Sequence, residues 1–183
     1  MTDRVVFFTL GVLKAPVGDG AVQGFVDRLA SVYAAAEGST GFFARSVRNV
    51  QTWEHSWGPV LAPTCVPANL GLNQLAMTLS VWRDLESVVA FAYRGAHAEA
   101  LARRGEWFEH GPWPGFVAWW VDAQHQPNWA EAVERIDRLH AHAVDLLDDD
   151  LGPRDLQFVA FAAHHFDQDR ELQLAAAEHL ELL

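Results

Sequence analysis

Alternation of apolar and polar positions divides the chain into strand-like and helix-like stretches. Arg4–Leu13 (RVVFFTLGVL) is β-branched and aromatic almost throughout and stops short of Pro16, which predicts a buried strand. From Val22 to Ala36 the apolar residues Val22, Phe25, Val26, Leu29, Val32 and Tyr33 recur three and four apart. That spacing predicts an amphipathic helix, ended by Glu37-Gly38-Ser39. Gly41–Val47 predicts a second strand. Asn73–Trp82 predicts a third, with Leu75, Met77, Leu79 and Val81 on one face and Ala76, Thr78, Ser80 and Trp82 on the other. Asp84, or Ser87 as the alternative, caps a helix carrying Leu85, Val88, Val89 and Phe91. The stretch Tyr93–Trp113 continues that helix or starts another after Gly95. Gly115–Ala123 alternates Val117, Trp119 and Val121 against Phe116, Ala118 and Trp120, a fourth strand. A helix with Trp129, Val133, Ile136, Leu139 and His140 at helical spacing follows. A fifth strand over Asp155–Phe166 comes next, and a helix over Arg170–Leu183 closes a C-terminal tail spanning 167–183.

The first six elements run β-α-β-β-α-β, the order of the ferredoxin-like split βαβ, so the expected class is α+β with an antiparallel sheet. At 183 residues the chain suits one domain, since two halves would each bury too little. A single sheet of this type carries helices on one face, yet the strands read as apolar on both. The simplest cover for the open face is a second copy, giving a homodimer. Residues 48–73 carry no periodicity but hold Trp53, His55, Trp57 and three prolines, which suits a lid or an interface arm.

Charge and composition then remove whole classes of function. Half of the residues are hydrophobic and a fifth are charged, which excludes a disordered chain. A formal net charge of −11 argues against nucleic acid as a partner. Cys65 stands alone, so no disulfide or paired-cysteine site forms within the chain. The apolar run at the start is too short to span a bilayer and no small-residue cleavage site follows it, so no membrane role and a cytoplasmic location are expected. Eight tryptophans are many for this length. They fit a pocket for a flat ligand, a large subunit interface or dense core packing.

Chemistry concentrates in Tyr93–Trp113, YRGAHAEALARRGEWFEHGPW. On one helix Tyr93, His97, Leu101, Arg104 and Phe108 share a stripe, and Arg103, Trp107 and His110 form the next, with Arg103 and Trp107 four apart and able to stack. His97 reads either as a general acid/base with Arg104 stabilising an enolate or carboxylate, or as a histidine bonded to a neighbouring element while the arginines pair with Glu99 or Glu106. His125, at a strand end, faces a pocket mouth or caps the next helix, a job that suits Asn128 better. His164 and His165 are adjacent on a strand and point apart. No HExxH, Cys/His cluster or facial triad has ligand spacing, so no metal is expected. Neither a dinucleotide loop nor a nucleophile elbow occurs. Haem, which asks only for one histidine and a cavity, stays open.

The stretches LSVWRDLESVVAFAYRGAHAEALARRGEWFE, FVAWWVDAQHQPNWAEAVERIDRLHAH and GPRDLQF resemble the bacterial domain-of-unknown-function family 3291, most clearly over Leu79–Phe158. That resemblance implies a dimeric α/β barrel, in a superfamily that includes antibiotic-biosynthesis monooxygenases, polyketide cyclases and haem-binding dehydratases. Gly95, where the family tends to have Ser, Ala123-Gln124 before His125, and Asn128 depart from its pattern. It implies a neighbourhood and no particular reaction. The expected function is a cofactor-independent cyclase, isomerase or monooxygenase for an aromatic or polyketide-like small molecule. His97 and Arg104 are then catalytic, and Tyr93, Trp82, Trp107, Phe108, Trp119, Trp120 and His125 line the pocket. The alternatives are a non-catalytic binding module and a haem protein.

Overall fold

A computed structural model describes residues 3–145 apart from Val50 and Trp53. The expected fifth strand, the C-terminal helix and the His164–His165 pair lie outside the described residues.

Strand β1 (Arg4–Val12) is the centre of the sheet because both of its edges are paired. It lies antiparallel to β3 (Leu75–Trp82) on one side and β4 (Phe116–Val121) on the other, with Phe8 opposite both Leu79 and Val117. The short β2 (Phe42–Arg45) pairs only with the far end of β3, through a bulge between Phe42 and Ala44. The sheet order β2-β3-β1-β4, all antiparallel, is the ferredoxin-like arrangement that the element order predicts.

The expected helix over Val22–Ala36 is broken into a turn at Gly20–Val22, α1 (Gln23–Val26) and α2 (Leu29–Glu37). Asp84 does cap α3 (Leu85–Ala92), its carboxylate accepting the Ser87 N–H at 2.8 Å. Tyr93–Trp113 is not one helix. Helix α3 stops at Tyr93, and α4 (Gly95–Ala102) begins with Gly95 at φ +54. A Ser there would pay the left-handed cost that glycine avoids. After a single turn at Arg104–Glu106, the chain is drawn against the end of β1. Lys14 N–H donates to the Trp107 carbonyl at 2.9 Å, and Glu109 N–H to the Val12 carbonyl at 2.8 Å.

Strand alternation sorts the core onto two faces. Val5, Phe7, Trp82 and Ala118 point to the side of α2 and α3, where Ala36 and Val88 meet them. Val6, Phe8, Leu10, Val12, Leu79, Val117 and Trp119 point the other way. The cover that the sequence reading assigned to a second copy is supplied there by the chain itself. Helix α5 (Trp129–Asp145) lays Trp129, Ala132, Ile136 and Leu139 on that face, and the 48–73 loop adds Trp57, Val60, Cys65, Val66 and Leu70.

Two local features hold α5 in place. Asn128 caps it through the Glu131 N–H at 3.0 Å. Asp137, two turns on, ties the loop to the helix, its carboxylate oxygens accepting the Thr64 and Cys65 N–H groups at 2.9 Å each.

Candidate functional site

Between the α2/α3 face of the sheet and helices α2 and α4 lies a cavity of about 2280 Å³. Among the described residues it continues around the outer edge of β3, where the short β2 leaves Leu75–Thr78 without a strand neighbour on that side. Its floor is formed by Phe7, Thr9, Ala76, Thr78, Trp82, Phe116 and Ala118, successive residues of one face of the strands. Thr9 and Thr78 sit opposite each other in the register and share a hydrogen bond at 2.7 Å, a polar spot in an otherwise apolar floor.

His97 stands in the wall from α4. Its Nδ1–H donates to the Ala92 carbonyl at the end of α3 at 2.8 Å. A carbonyl can only accept, so this bond places the proton on Nδ1 and leaves Nε2 with the lone pair. Desolvation lowers the His97 pKa below the ordinary histidine value, against the opposing pull of the Ala92 bond, so the ring is held neutral. Phe91 lies 4.7 Å from the His97 ring and itself stacks on Trp82 at 5.2 Å. Trp82 is fully buried, and its indole N–H donates to Ser80 Oγ at 2.9 Å.

Tyr93 and Arg104, close enough for the guanidinium charge to act on the phenol, line the same cavity as His97. Desolvation pushes the Tyr93 phenol up to about 12 against the opposing charge of Arg104, although 39% of the residue's surface faces solvent. A neutral base, a phenol that keeps its proton and a guanidinium therefore line one cavity. That set can take a proton from carbon and stabilise the oxyanion that results.

Trp107 and Phe108 also line the cavity, but by a route the helical stripe did not foresee. The pairing of this segment with β1 aims them inward, and Phe108 lies flat on the strand at Gly11. A methyl group there would stand 2.5 Å from a ring carbon. Trp107 is held between Arg28 and Arg103, whose guanidinium carbons lie 5.0 and 5.3 Å from its ring. Arg103 also pairs with Glu106 at 2.8 Å, one of the two partners the plainer reading named.

Three expected pocket residues are placed elsewhere. Trp119 faces α5, where its indole N–H donates to Glu131 Oε1 at 2.9 Å. Trp120 lies on the cavity's side of the sheet but beyond the lining, 37% exposed. His125 Nε2–H donates to Glu131 Oε2 at 2.8 Å, so it secures the first turn of α5. The reason is the register of β4. It gives the two tryptophans opposite faces, and the helix side of each is decided by packing that a strand pattern does not carry.

The sequence also missed residues that line the cavity. Thr9 and Thr78 belong to no motif, and only the cross-strand register brings them together. His55 and Trp129 come from the long loop and from α5, far apart in sequence, and meet ring edge to ring face at 5.2 Å. Tyr33 from α2 lines the same end of the cavity, with the Arg45 guanidinium carbon 4.1 Å from its ring.

This architecture and wall define a ferredoxin-like α+β protein with a large, aromatic-walled cavity. The family model described as Domain of unknown function (DUF3291) matches residues 4–144, and the chain belongs to that family. No curated protein shows significant similarity to it. Among solved structures, a protein of unknown function from Nitrosomonas europaea is 14% identical at a TM-score of 0.44, with 69% of this chain and 96% of that one covered. The cofactor-independent oxygenase SnoaB from Streptomyces nogalater is 12% identical at a TM-score of 0.39, covering 68% and 96%. A dabb family protein with a ferredoxin-like fold from Mesorhizobium loti is 8% identical at 0.38, covering 67% and 99%.

Proposed function

We propose that the cavity is the active site of a small-molecule enzyme that works without a cofactor on a flat aromatic or polyketide-like substrate. The observation that carries this reading is the fixed tautomer of His97: Nδ1–H is spent on Ala92, and the neutral ring keeps its Nε2 lone pair for a substrate. His97 Nε2 takes a proton from carbon next to a substrate carbonyl. The electron pair left behind moves onto the carbonyl oxygen, and Arg104 and the Tyr93 hydroxyl stabilise that enolate. Return of the same proton to another carbon completes an isomerisation. Attack of the enolate carbon on a second carbonyl of the same substrate completes a ring closure, with His97 returning the proton to the new alkoxide. Oxygenation follows the same first step and takes dioxygen as its second reactant. Phe91, Trp107 and Phe108 supply flat apolar walls for a ring system, with Trp82 stacked behind Phe91, and Thr9 and Thr78 a polar point on the floor.

The first step can be tested without the natural substrate. Deuterium uptake at the carbons flanking the carbonyl of 2-tetralone, followed by NMR in D2O, reads proton abstraction directly. The wild type is expected to speed uptake over buffer, and His97→Gln to lose about 100-fold or more of that rate. Binding of 2-tetralone with no accelerated uptake would instead make the cavity a binding module. A Soret band in the purified protein would overturn the cofactor-free reading.

A further inference from the structure

One polar group on the cavity floor is bonded only in part. Thr78, Ser80 and Trp82 alternate along β3 onto the floor side, and Ser80 is spent on the protein itself. It is buried, its hydroxyl donates to the Phe7 carbonyl at 3.2 Å, and its oxygen accepts the Trp82 indole N–H at 2.9 Å. Thr78 is placed differently. Register sets it opposite Thr9 of β1, and the two hydroxyls share a hydrogen bond at 2.7 Å, the only one either side chain makes among the described residues. Each hydroxyl brings one proton and two lone pairs. The shared bond uses one of the two protons, so the pair keeps one O–H to donate, with free lone pairs beside it. Both residues are half-buried and line the cavity.

Aromatic rings frame this pair. Phe116 of β4 sits directly opposite Thr9, and its ring is 5.6 Å from that of Phe7, two residues before Thr9 on the same face. Two residues after Thr9 comes Gly11, which carries the Phe108 ring, and Phe25 meets that ring edge to face at 5.1 Å. Strand rise puts positions 7 and 11 roughly 13 Å apart, with Thr9 midway. Phe7 and Phe116 therefore stand on one side of the hydroxyls and Phe108 on the other. A hydrocarbon ring seated there would strip water from the remaining O–H and put nothing in its place, which costs free energy. An oxygen on the ring restores the bond.

We infer that the Thr9–Thr78 hydroxyl pair is a specificity point of the cavity, donating to an oxygen carried on an aromatic ring that lies between Phe7 and Phe108. This inference rests on the cavity's being a small-molecule site and adds a requirement to it: the ring system bears a hydroxyl or carbonyl oxygen at its rim. A ring hydroxyl also donates in return to a free lone pair of the pair.

Naphthalene and 2-naphthol test this, with dissociation constants measured by equilibrium dialysis. The readout is the ratio of the two constants, the preference for the oxygen-bearing ring. Thr9→Val/Thr78→Val keeps both branched side chains and removes both hydroxyls. It is expected to lower the preference about fivefold, weakening 2-naphthol while naphthalene binds at least as tightly as before. Each single variant keeps one hydroxyl with its proton unspent and should retain most of the preference. A preference unchanged in the double variant, or an equal weakening of both probes, overturns the inference and leaves the cavity reading intact. If neither probe binds the wild type, the cavity reading falls and this inference with it. The unaltered protein gives a direct readout as well: bound 2-naphthol should shift the methyl resonances of Thr9 and Thr78, because its ring current reaches them. Stationary methyl resonances with 2-naphthol bound would refute the proposal.

Discussion

At the scale of single residues, the hydrogen bond from His97 to Ala92 matters more than the presence of a histidine. A ring free to turn would offer either nitrogen, and an exposed one would titrate near its ordinary value. Burial lowers the His97 pKa, so the base form persists into acid below the usual histidine range. The sign follows directly: catalysis that needs neutral His97 is lost only as pH falls through the lowered value. The acid limb of kcat/KM for tetralone exchange is therefore expected below pH 6.5, and a limb at or above 6.5 would show that another group sets it. His97, Arg104 and Tyr93 were legible in the sequence because they crowd one short segment. His55 was not, because its partner Trp129 is 74 residues away and only packing brings the two rings together.

At the scale of elements, α5 and the long loop form one cover over the second face of the sheet. Their junction is the Asp137 carboxylate on two consecutive backbone N–H groups, at Thr64 and Cys65. Burial, with the nearby Asp137 carboxylate, pushes the Cys65 thiol up to about 12, so it should resist thiol reagents while the loop is seated. Asp137→Ala removes both acceptors and should cost about 1 to 3 kcal/mol in urea unfolding. It should also speed modification of Cys65 by a disulfide reagent under native conditions, because the loop opens locally. Unchanged labelling would mean that apolar contacts alone seat the loop. Period-two and period-3.6 patterns predict the four described strands and α3 and α5. They miss the break of Val22–Ala36 into α1 and α2, and the point where α4 gives way to the Trp107–Glu109 segment, since the hydrogen bonds to Val12 and Lys14 that redirect the chain there are long-range.

At the scale of the whole molecule, two partly buried histidines with lowered pKa values link folding to pH. The unfolded chain protonates histidine near 6.5, whereas folded His97 and His55 resist the proton until lower pH. Stability should be level above 6.5 and decline as pH falls through that value toward the folded-state pKa values. Urea midpoints at pH 7.5, 6.5 and 5.5 test this: the double variant His97→Phe/His55→Phe should decline less steeply than the wild type. An identical slope would mean that other groups carry the acid sensitivity. Self-association argued from a bare sheet face no longer has that premise, because α5 and the loop occupy the face. Among the described residues no helix is long and apolar enough to cross a membrane.

The amino-acid sequence by itself determined the order of elements, the two-faced strands, the caps at Asp84 and Asn128 and the segment that holds His97 and Arg104. These are local properties, readable from backbone preference and side-chain period. Only the tertiary structure decided which face each tryptophan takes, that the chain covers its own sheet, and that Thr9 and Thr78 share the cavity with His97. Those depend on strand register and on contacts between residues distant along the chain, for which a local pattern carries no information.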